Sequence, residues 1–275
     1  MIENNLLCIG ASTPAANYYL GRALLDFNVY GFSSKEHKLI KSFRYEDIFE
    51  ISKLKFKKII IFSSGVQANC KSADEFLKIN NAVKKILNAI DLDRVDITYL
   101  SSYAVFKKNI DLITEHTECS PEDLYGESKV EMESYLISRY SKSVRQLNIL
   151  RLPVFLYKGV RNNFMGSNLN KMRNDQKITL SNPSSQFYSV IDDKSLFFID
   201  NRLESGLNIV NCCSNGDIKF EEIGYLLKCY GARNINWIDA DRPSVKVLPS
   251  LKTKSIFEAI SSKEIIEEWL INENS

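Results

Sequence analysis

Histidine is nearly absent: the 275 residues include two, His37 and His116. A histidine-built metal centre or a Ser-His-Asp triad would need one of them, and neither lies beside a recognisable nucleophile motif. The six cysteines, at 8, 70, 119, 212, 213 and 229, form no C-x-x-C pair and no zinc spacing with a histidine. The expectation is a reduced protein with no metal site. Excess charge of one sign is also missing: 36 Lys and Arg oppose 34 Asp and Glu, a net charge of +2. Nucleic-acid binding needs a concentrated basic surface, so no nucleic-acid partner is expected. The basic stretch Lys53 to Lys58 precedes a hydrophobic run and reads as solvated chain leading into a strand. No apolar run approaches the roughly 20 residues of a membrane span. The start, Met1 to Asn5, lacks the basic and apolar regions of a signal peptide. A cytoplasmic protein without membrane contact is expected. Repeats, low-complexity tracts and flexible linkers are absent too.

What is present is an alternation. Leu6-Leu7-Cys8-Ile9 is a short apolar run ending at Gly10, the pattern of a buried strand and a turn. Helical spacing follows over 15–26, then a strand at 29–32. Ile59-Ile60-Ile61 marks a β-branched strand over 58–62. A long helix is predicted over 73–91, a strand over 95–100, a helix over 122–143 and a strand over 147–152. Strand and helix alternate every 25–30 residues, which predicts βαβ units. The fold class is therefore α/β, a Rossmann-type doubly wound parallel sheet. After 155 the pattern loosens, with a further helix near 219–229. The predicted division is a dinucleotide-binding part, 1–155, and a small, sequence-discontinuous C-terminal substrate-binding region, 156–275, partly returning to the first.

Strand, Gly10, then helix is the layout of a dinucleotide-binding turn. Its glycines are few. Residues 10–16 read Gly-Ala-Ser-Thr-Pro-Ala-Ala, so Thr13 and Ala16 stand where further glycines would. Gly10, Ser12 and Thr13 are the candidate phosphate residues, Thr13 through its hydroxyl. The second strand ends Phe32-Ser33-Ser34-Lys35 without a carboxylate. Ser33, Ser34 and Lys35 suit the 2′-phosphate of NADP better than the free ribose of NAD.

The strongest motif is Tyr125-Gly126-Glu127-Ser128-Lys129. Tyr and Lys four apart lie on one helix face. A nearby ammonium favours tyrosinate, which brings a phenol of ordinary pKa about 10 toward neutrality. Upstream, a strand ends in Ser101-Ser102 before Tyr103-Ala104-Val105-Phe106, and a proline-bearing loop, Glu118 to Asp123, leads to the tyrosine. In these features the chain resembles the extended short-chain dehydrogenases, the nucleotide-sugar epimerase/dehydratase/reductase group. The resemblance implies that Ser102 hydrogen-bonds the substrate oxygen, Tyr125 is the general acid/base, and Lys129 tunes Tyr125 and holds the nicotinamide ribose. It implies NADP or NAD as cofactor and a nucleotide-sugar, UDP-linked, as substrate. It adds Asn80 and the Tyr125–Lys129 pair to the cofactor residues. Substrate contacts would come from Ser102, Tyr103, Asn163, Phe164 and Arg242. A homodimer through the helices near 73–91 and 122–143 is a further implication.

Dehydratases of that group carry an Asp-Glu pair after the catalytic hydroxyl residue; here Tyr103-Ala104 stands there. Without those carboxylates, 4,6-dehydration has no acid and base. Reduction of a keto-sugar for surface polysaccharide is the preferred expectation, on the short chain and the Leu150-Arg151-Leu152-Pro153 and Gly159-to-Phe164 stretches. The alternatives are a 4-epimerase with retained NAD and a non-catalytic binding protein on the same fold.

Overall fold

The computed structural model describes residues 4–33, 35, 40–62, 72–107, 110, 112–114, 116–161, 163–187, 189–214, 218–239, 246–247 and 253–274. In chain order the elements begin with β1 (Asn5–Ile9), α1 (Asn17–Ala23), β2 (Asn28–Phe32), β3 (Lys41–Phe43) and α2 (Ile48–Ile51). Then come β4 (Lys58–Ile61), α3 (Ala73–Ala89), β5 (Asp96–Ser102), β6 (Leu112–Ile113), α4 (Leu124–Tyr140) and β7 (Gln146–Leu152). The chain continues through β8 (Val154–Leu156), α5 (Phe164–Arg173), β9 (Ile178–Leu180), β10 (Val190–Asp192), α6 (Asp193–Asp200) and β11 (Gly206–Asn211). It ends with α7 (Phe220–Cys229), β12 (Ile235–Trp237), β13 (Lys246–Val247), α8 (Lys254–Phe257) and α9 (Ser262–Asn274).

Seven strands make the central sheet, in the order β11-β7-β5-β4-β1-β2-β3. Pairs β1–β2, β1–β4, β2–β3 and β4–β5 are parallel. Strand β1 has β2 on one side and β4 on the other, so the strand order reverses there. In doubly wound sheets that reversal opens a crevice at the carboxyl ends of the strands. Strands β1, β4 and β7 are buried along their whole length. Such strands read as continuous apolar runs because helices cover both faces.

Period-two alternation sorts the strand residues onto two faces. One face carries Leu7, Ile9, Ile59, Ile61, Ile97, Tyr99, Leu147 and Ile149, packed in one core with Val83 and Leu87 of α3 and Met132 and Leu136 of α4. At α3, Ser72 caps the first turn by accepting from the Glu75 amide, and Asp123 does the same for α4 through the Gly126 amide. The opposite face holds a buried polar group. Lys58 of β4, Thr98 of β5 and Asn148 of β7 converge on Asp200 at the end of α6. Lys58 Nζ is 2.7 Å from Asp200 Oδ2. Tyr19 Oη donates to Asp200 Oδ2 at 2.5 Å, Asn148 Nδ2 donates to Oδ1 at 3.0 Å, and the Thr98 hydroxyl also donates to Oδ1.

Two compact units result: 1–107, 118–151 and 196–210 form one, and 108–117, 152–195 and 211–275 the other. The predicted boundary near 155 describes this only in part. Residues 196–210 return to the first unit because β11 extends its sheet beside β7 and Asp200 is bound into it. Residues 108–117 belong to the second, where β6 pairs with β13. The second unit otherwise rests on the parallel pairs β8–β10 and β9–β12. The predicted helix over 15–26 is shorter than expected: Pro14–Ala16 form a 3-10 turn and α1 ends at Ala23.

Burial pushes Asp200 up, but the Lys58 ammonium and the bonds from Thr98 and Tyr19 outweigh it and hold the carboxyl below its ordinary range. A carboxyl depressed on folding stabilises above its unfolded pKa, and that stability is lost as pH falls through the folded one. Asp200→Asn leaves Lys58 as a buried, uncompensated charge, and a loss of roughly 3–5 kcal/mol is expected in urea unfolding at pH 7. Adding Lys58→Met to Asp200→Leu is expected to recover most of it. A single variant as stable as the wild type would show that the pair is not what fixes the returning segment.

Candidate functional site

The site is built where α4 begins. Strand β5 ends at Ser102, which caps a 3-10 turn over Tyr103–Val105 by accepting from the Ala104 amide at 3.2 Å. The first turn of α4 lies directly on that 3-10 turn. A Cβ added at Gly126 would overlap the Ala104 carbonyl oxygen and stand 2.8 Å from Pro121 Cβ. Glycine is required there for contact, not for backbone angle. The result brings Tyr125 within hydrogen-bond reach of the Ser102 hydroxyl. The Phe76 ring of α3 lies 6.2 Å from the Tyr125 ring, centroid to centroid.

Lys129, one turn on, is 2% exposed. Its Nζ donates to the Leu100 carbonyl at 2.7 Å and lies 5.4 Å from the Tyr125 ring centroid. Burial pulls this ammonium down to about 7, with Glu133 opposing. Glu133, a further turn along, accepts from Ser101 Oγ at 2.5 Å and from Arg151 Nη2 at 2.7 Å. Sequence reasoning missed Glu133. Its signal was present: a carboxylate four residues after Lys129, on the same helix face.

One electrostatic expectation needs correction. Lys129 was expected to draw the Tyr125 phenol toward neutrality. Burial instead raises Tyr125, and what opposes it is the hydrogen bond from Ser102. The physical reason is that burial disfavours the phenolate by more than the Ser102 hydroxyl favours it.

At the other end of the site, Gly10 follows β1 with φ +88°, the left-handed region that glycine takes freely. Its amide donates to the Phe32 carbonyl. The register Ile9–Ile61–Tyr99 across β1, β4 and β5 sets Gly10 level with Leu100, at the carboxyl edge shared with Ser102. The turn spends amides on itself: Thr13 N donates to Gly10 O at 3.0 Å and Ala16 N to Thr13 O at 2.8 Å. Pro14, first in the 3-10 turn, has no N–H to offer. Ser12 and Thr13 are partly exposed, with hydroxyls available beside the turn. The donor set therefore fits a dinucleotide phosphate, through fewer amides and more hydroxyls than a glycine-rich turn provides. Ser33 is 8% exposed and its hydroxyl donates to the Lys35 carbonyl. Lys35 is exposed.

The other expected residues have the following contacts. Asn80, expected at the cofactor, is 2% exposed and donates to the Ser128 carbonyl at 2.9 Å and to Glu131, tying α3 to α4. Asn163, expected at the substrate, caps α5: it accepts from Gly166 N and donates to Phe155 O, both at 2.8 Å. An asparagine just before an apolar helical turn is itself a capping signal. Phe164 packs on Phe187 and Phe220, centroids 4.9 and 5.8 Å away. Tyr103 is partly exposed, with its ring 6.2 Å from Phe106. Ser34 and Arg242 lie outside the described residues. Among the described residues no three His, Cys, Asp or Glu side chains group as metal ligands, and no helix is long and apolar enough to cross a membrane.

Two outcomes follow from this geometry. Gly126→Ala is expected to cost about 1–3 kcal/mol by overpacking a backbone contact. The matching change at exposed Gly21, which has open space around it, is expected to be neutral or to stabilise by up to about 1 kcal/mol. Equal urea midpoints for the two variants would contradict the contact. Lys129 has a folded pKa below its unfolded one, so between pH 7 and about 10 the unfolded chain binds more protons. Stability is expected to rise with pH over that range, and the rise to vanish in Lys129→Met.

Comparisons with known proteins agree with this fold. Residues 62–185 match the family described as the RmlD substrate binding domain. No curated protein matches the chain in sequence. Solved structures share its fold. An ADP-L-glycero-D-manno-heptose-6-epimerase from Helicobacter pylori superposes over 100% of this chain and 97% of its own, at 13% identity and a TM-score of 0.81. A dTDP-4-dehydrorhamnose reductase from Bacillus anthracis str. Ames, solved with NADP, is 17% identical, covering 98% of this chain and 99% of its own with a TM-score of 0.78. MoeE5, solved with UDP-glucose and NAD, is 12% identical, covering 98% of this chain and 97% of its own with a TM-score of 0.77.

Proposed function

We propose, from the premise that this chain is an extended short-chain dehydrogenase/reductase by its fold and its RmlD-type segment, that it reduces a nucleotide-activated keto-sugar at the expense of NADPH or NADH. The observation that carries the reading is the placing of Tyr125 beside Ser102, with Lys129 one turn along α4, at the carboxyl edge of the sheet. When bound, a nicotinamide dinucleotide would supply the hydride. The chain's own residues handle the oxygen. As the carbonyl becomes an alcohol, negative charge grows on its oxygen, and Ser102 donates a hydrogen bond to it. Tyr125 delivers the proton. Burial raises its pKa, so the phenol is protonated at neutral pH and can act as a general acid. Lys129 would hold the ribose through its ammonium, and Gly10, Ser12 and Thr13 would hold the phosphates. Ser33 and Lys35, in a strand end whose sequence carries no carboxylate before Glu36, favour NADP. The hydroxyl-based phosphate turn is consistent with a cofactor that leaves after each turnover. A sugar nucleotide destined for surface polysaccharide, made in the cytoplasm, is the substrate class that this reading entails. The neighbours include both epimerases and a reductase, so the titration below also tests the epimerase reading.

Calorimetric titration of the purified protein with NADPH and NADH is the deciding measurement. Binding by a protein that arrives empty supports the reductase. NAD retained through purification supports a 4-epimerase. Binding of neither leaves a non-catalytic ligand-binding protein. In the reductase case Tyr125→Phe is expected to lower kcat by roughly 10²–10⁴-fold with dinucleotide affinity nearly unchanged. Turnover by Tyr125→Phe at the wild-type rate would remove Tyr125 from the mechanism.

A further inference from the structure

Lys129 sits deeper in aromatic surroundings than its motif requires. Its Nζ lies 5.1 Å from the centroid of Tyr99 on β5 as well as 5.4 Å from that of Tyr125 on α4. We propose that Tyr99 is a positioning residue for Lys129: its ring face helps keep the buried ammonium charged, and so sets the pH range over which the lysine can act. This rests on the role given to Lys129 above.

Among the described residues, the carboxylates near the ammonium are shared with other donors. On β5 the Leu100 carbonyl accepts one hydrogen bond. On α4 the nearest carboxylate is Glu133, but it is already shared. It takes Arg151 Nε at 3.1 Å and Nη2 at 2.7 Å from β7, and Ser101 Oγ at 2.5 Å. Glu131 is bound to Asn80 and Lys84 of α3. One carboxylate between two cations leaves net positive charge in a dry site, where a ring quadrupole counts for most. Tyr99 is itself fully buried. Its hydroxyl has no hydrogen-bond partner among the described residues. Burial first, and then Tyr125 and the carboxylates of Glu133 and Glu131, push that phenol up, so it stays neutral and offers a face rather than a charge. Phenylalanine should therefore replace it and leucine should not.

The test reads Lys129 directly in the ligand-free protein. Lysine is labelled at Cε with carbon-13, and the Lys129 signal is assigned by its loss in Lys129→Met. The pH titration of that signal is then followed by NMR. Tyr99→Phe is expected to titrate with the wild type. Tyr99→Leu is expected to lose about tenfold in the protonation constant of Lys129. Because leucine also leaves a cavity, 3,4,5-trifluorophenylalanine is placed at 99 by amber suppression, which keeps the ring's outline and removes its negative face. It should shift Lys129 in the same direction as leucine. A trifluorinated protein with a native urea midpoint and an unshifted Lys129 overturns the proposal. Dinucleotide calorimetry on the same wild-type sample separates the two claims. A shifted Lys129 in a chain that binds no dinucleotide upholds the role of Tyr99 and sinks the functional reading instead.

Discussion

The site depends on one contact, the seating of the first turn of α4 on the 3-10 turn after β5. At Gly126 the two backbones approach so closely that no Cβ fits. That distance decides where Tyr125 stands relative to Ser102, and the helix geometry then decides where Lys129 and Glu133 stand. Everything else in the neighbourhood serves to hold the contact. Asp123 caps the helix from one side, Asn80 binds its backbone from α3, and Glu133 anchors its third turn to β5 and β7 through Ser101 and Arg151. A side chain on helix and strand scaffolds of this kind is placed more accurately than one on a loop.

The two faces of the sheet are organised on different principles. Toward α3 and α4 the packing is apolar and continuous, and burial alone accounts for it. Toward α6 a buried carboxylate gathers donors from three strands and a helix. Such a group adds little net energy over an apolar one of the same shape. It is demanding about position, however, because each donor left unpaired costs free energy. A returning segment needs that demand. Residues 196–210 come back to the first unit after a long excursion, and an apolar patch alone would accept them in more than one register.

Legibility in the sequence followed separation. The pieces of the candidate site that lie close together, Tyr125 and Lys129, were readable because a helix fixes their relation through its period. Ser102 was readable because a strand end marked it. The sheet was readable because its central strands are short apolar runs with helical spacing between them. What stayed hidden depends on long-range pairing. Nothing local in Lys58 or Asp200 announces that they meet, and a lysine at a strand start ordinarily reads as solvated. Asn80 and Asn163 are polar residues at suggestive positions, and in the structure each also bonds the backbone of a neighbouring element. Tyr99 was read only as part of a strand, since a ring facing a lysine across two elements has no sequence period.

The two ends of the site are built to different standards, and the difference bears on what the protein can do. At β5 and α4 the serine, tyrosine, lysine and glutamate are each tied to a stated partner. At β1 and α1 the chain departs from the pattern that holds phosphate most tightly. Pro14 removes an amide, and Thr13 and Ala16 spend theirs within the turn. Aligned amides at a helix start hold an anion because their dipoles are fixed in advance. Hydroxyls must be oriented at the moment of binding, which costs entropy and weakens the grip. An enzyme that returns its dinucleotide to solution after each cycle gains from a weaker grip, because release then slows turnover less. One that must keep the same molecule through a complete oxidation and reduction loses by it. The precision of this chain is concentrated at β5 and α4, and its economy lies in the turn after β1.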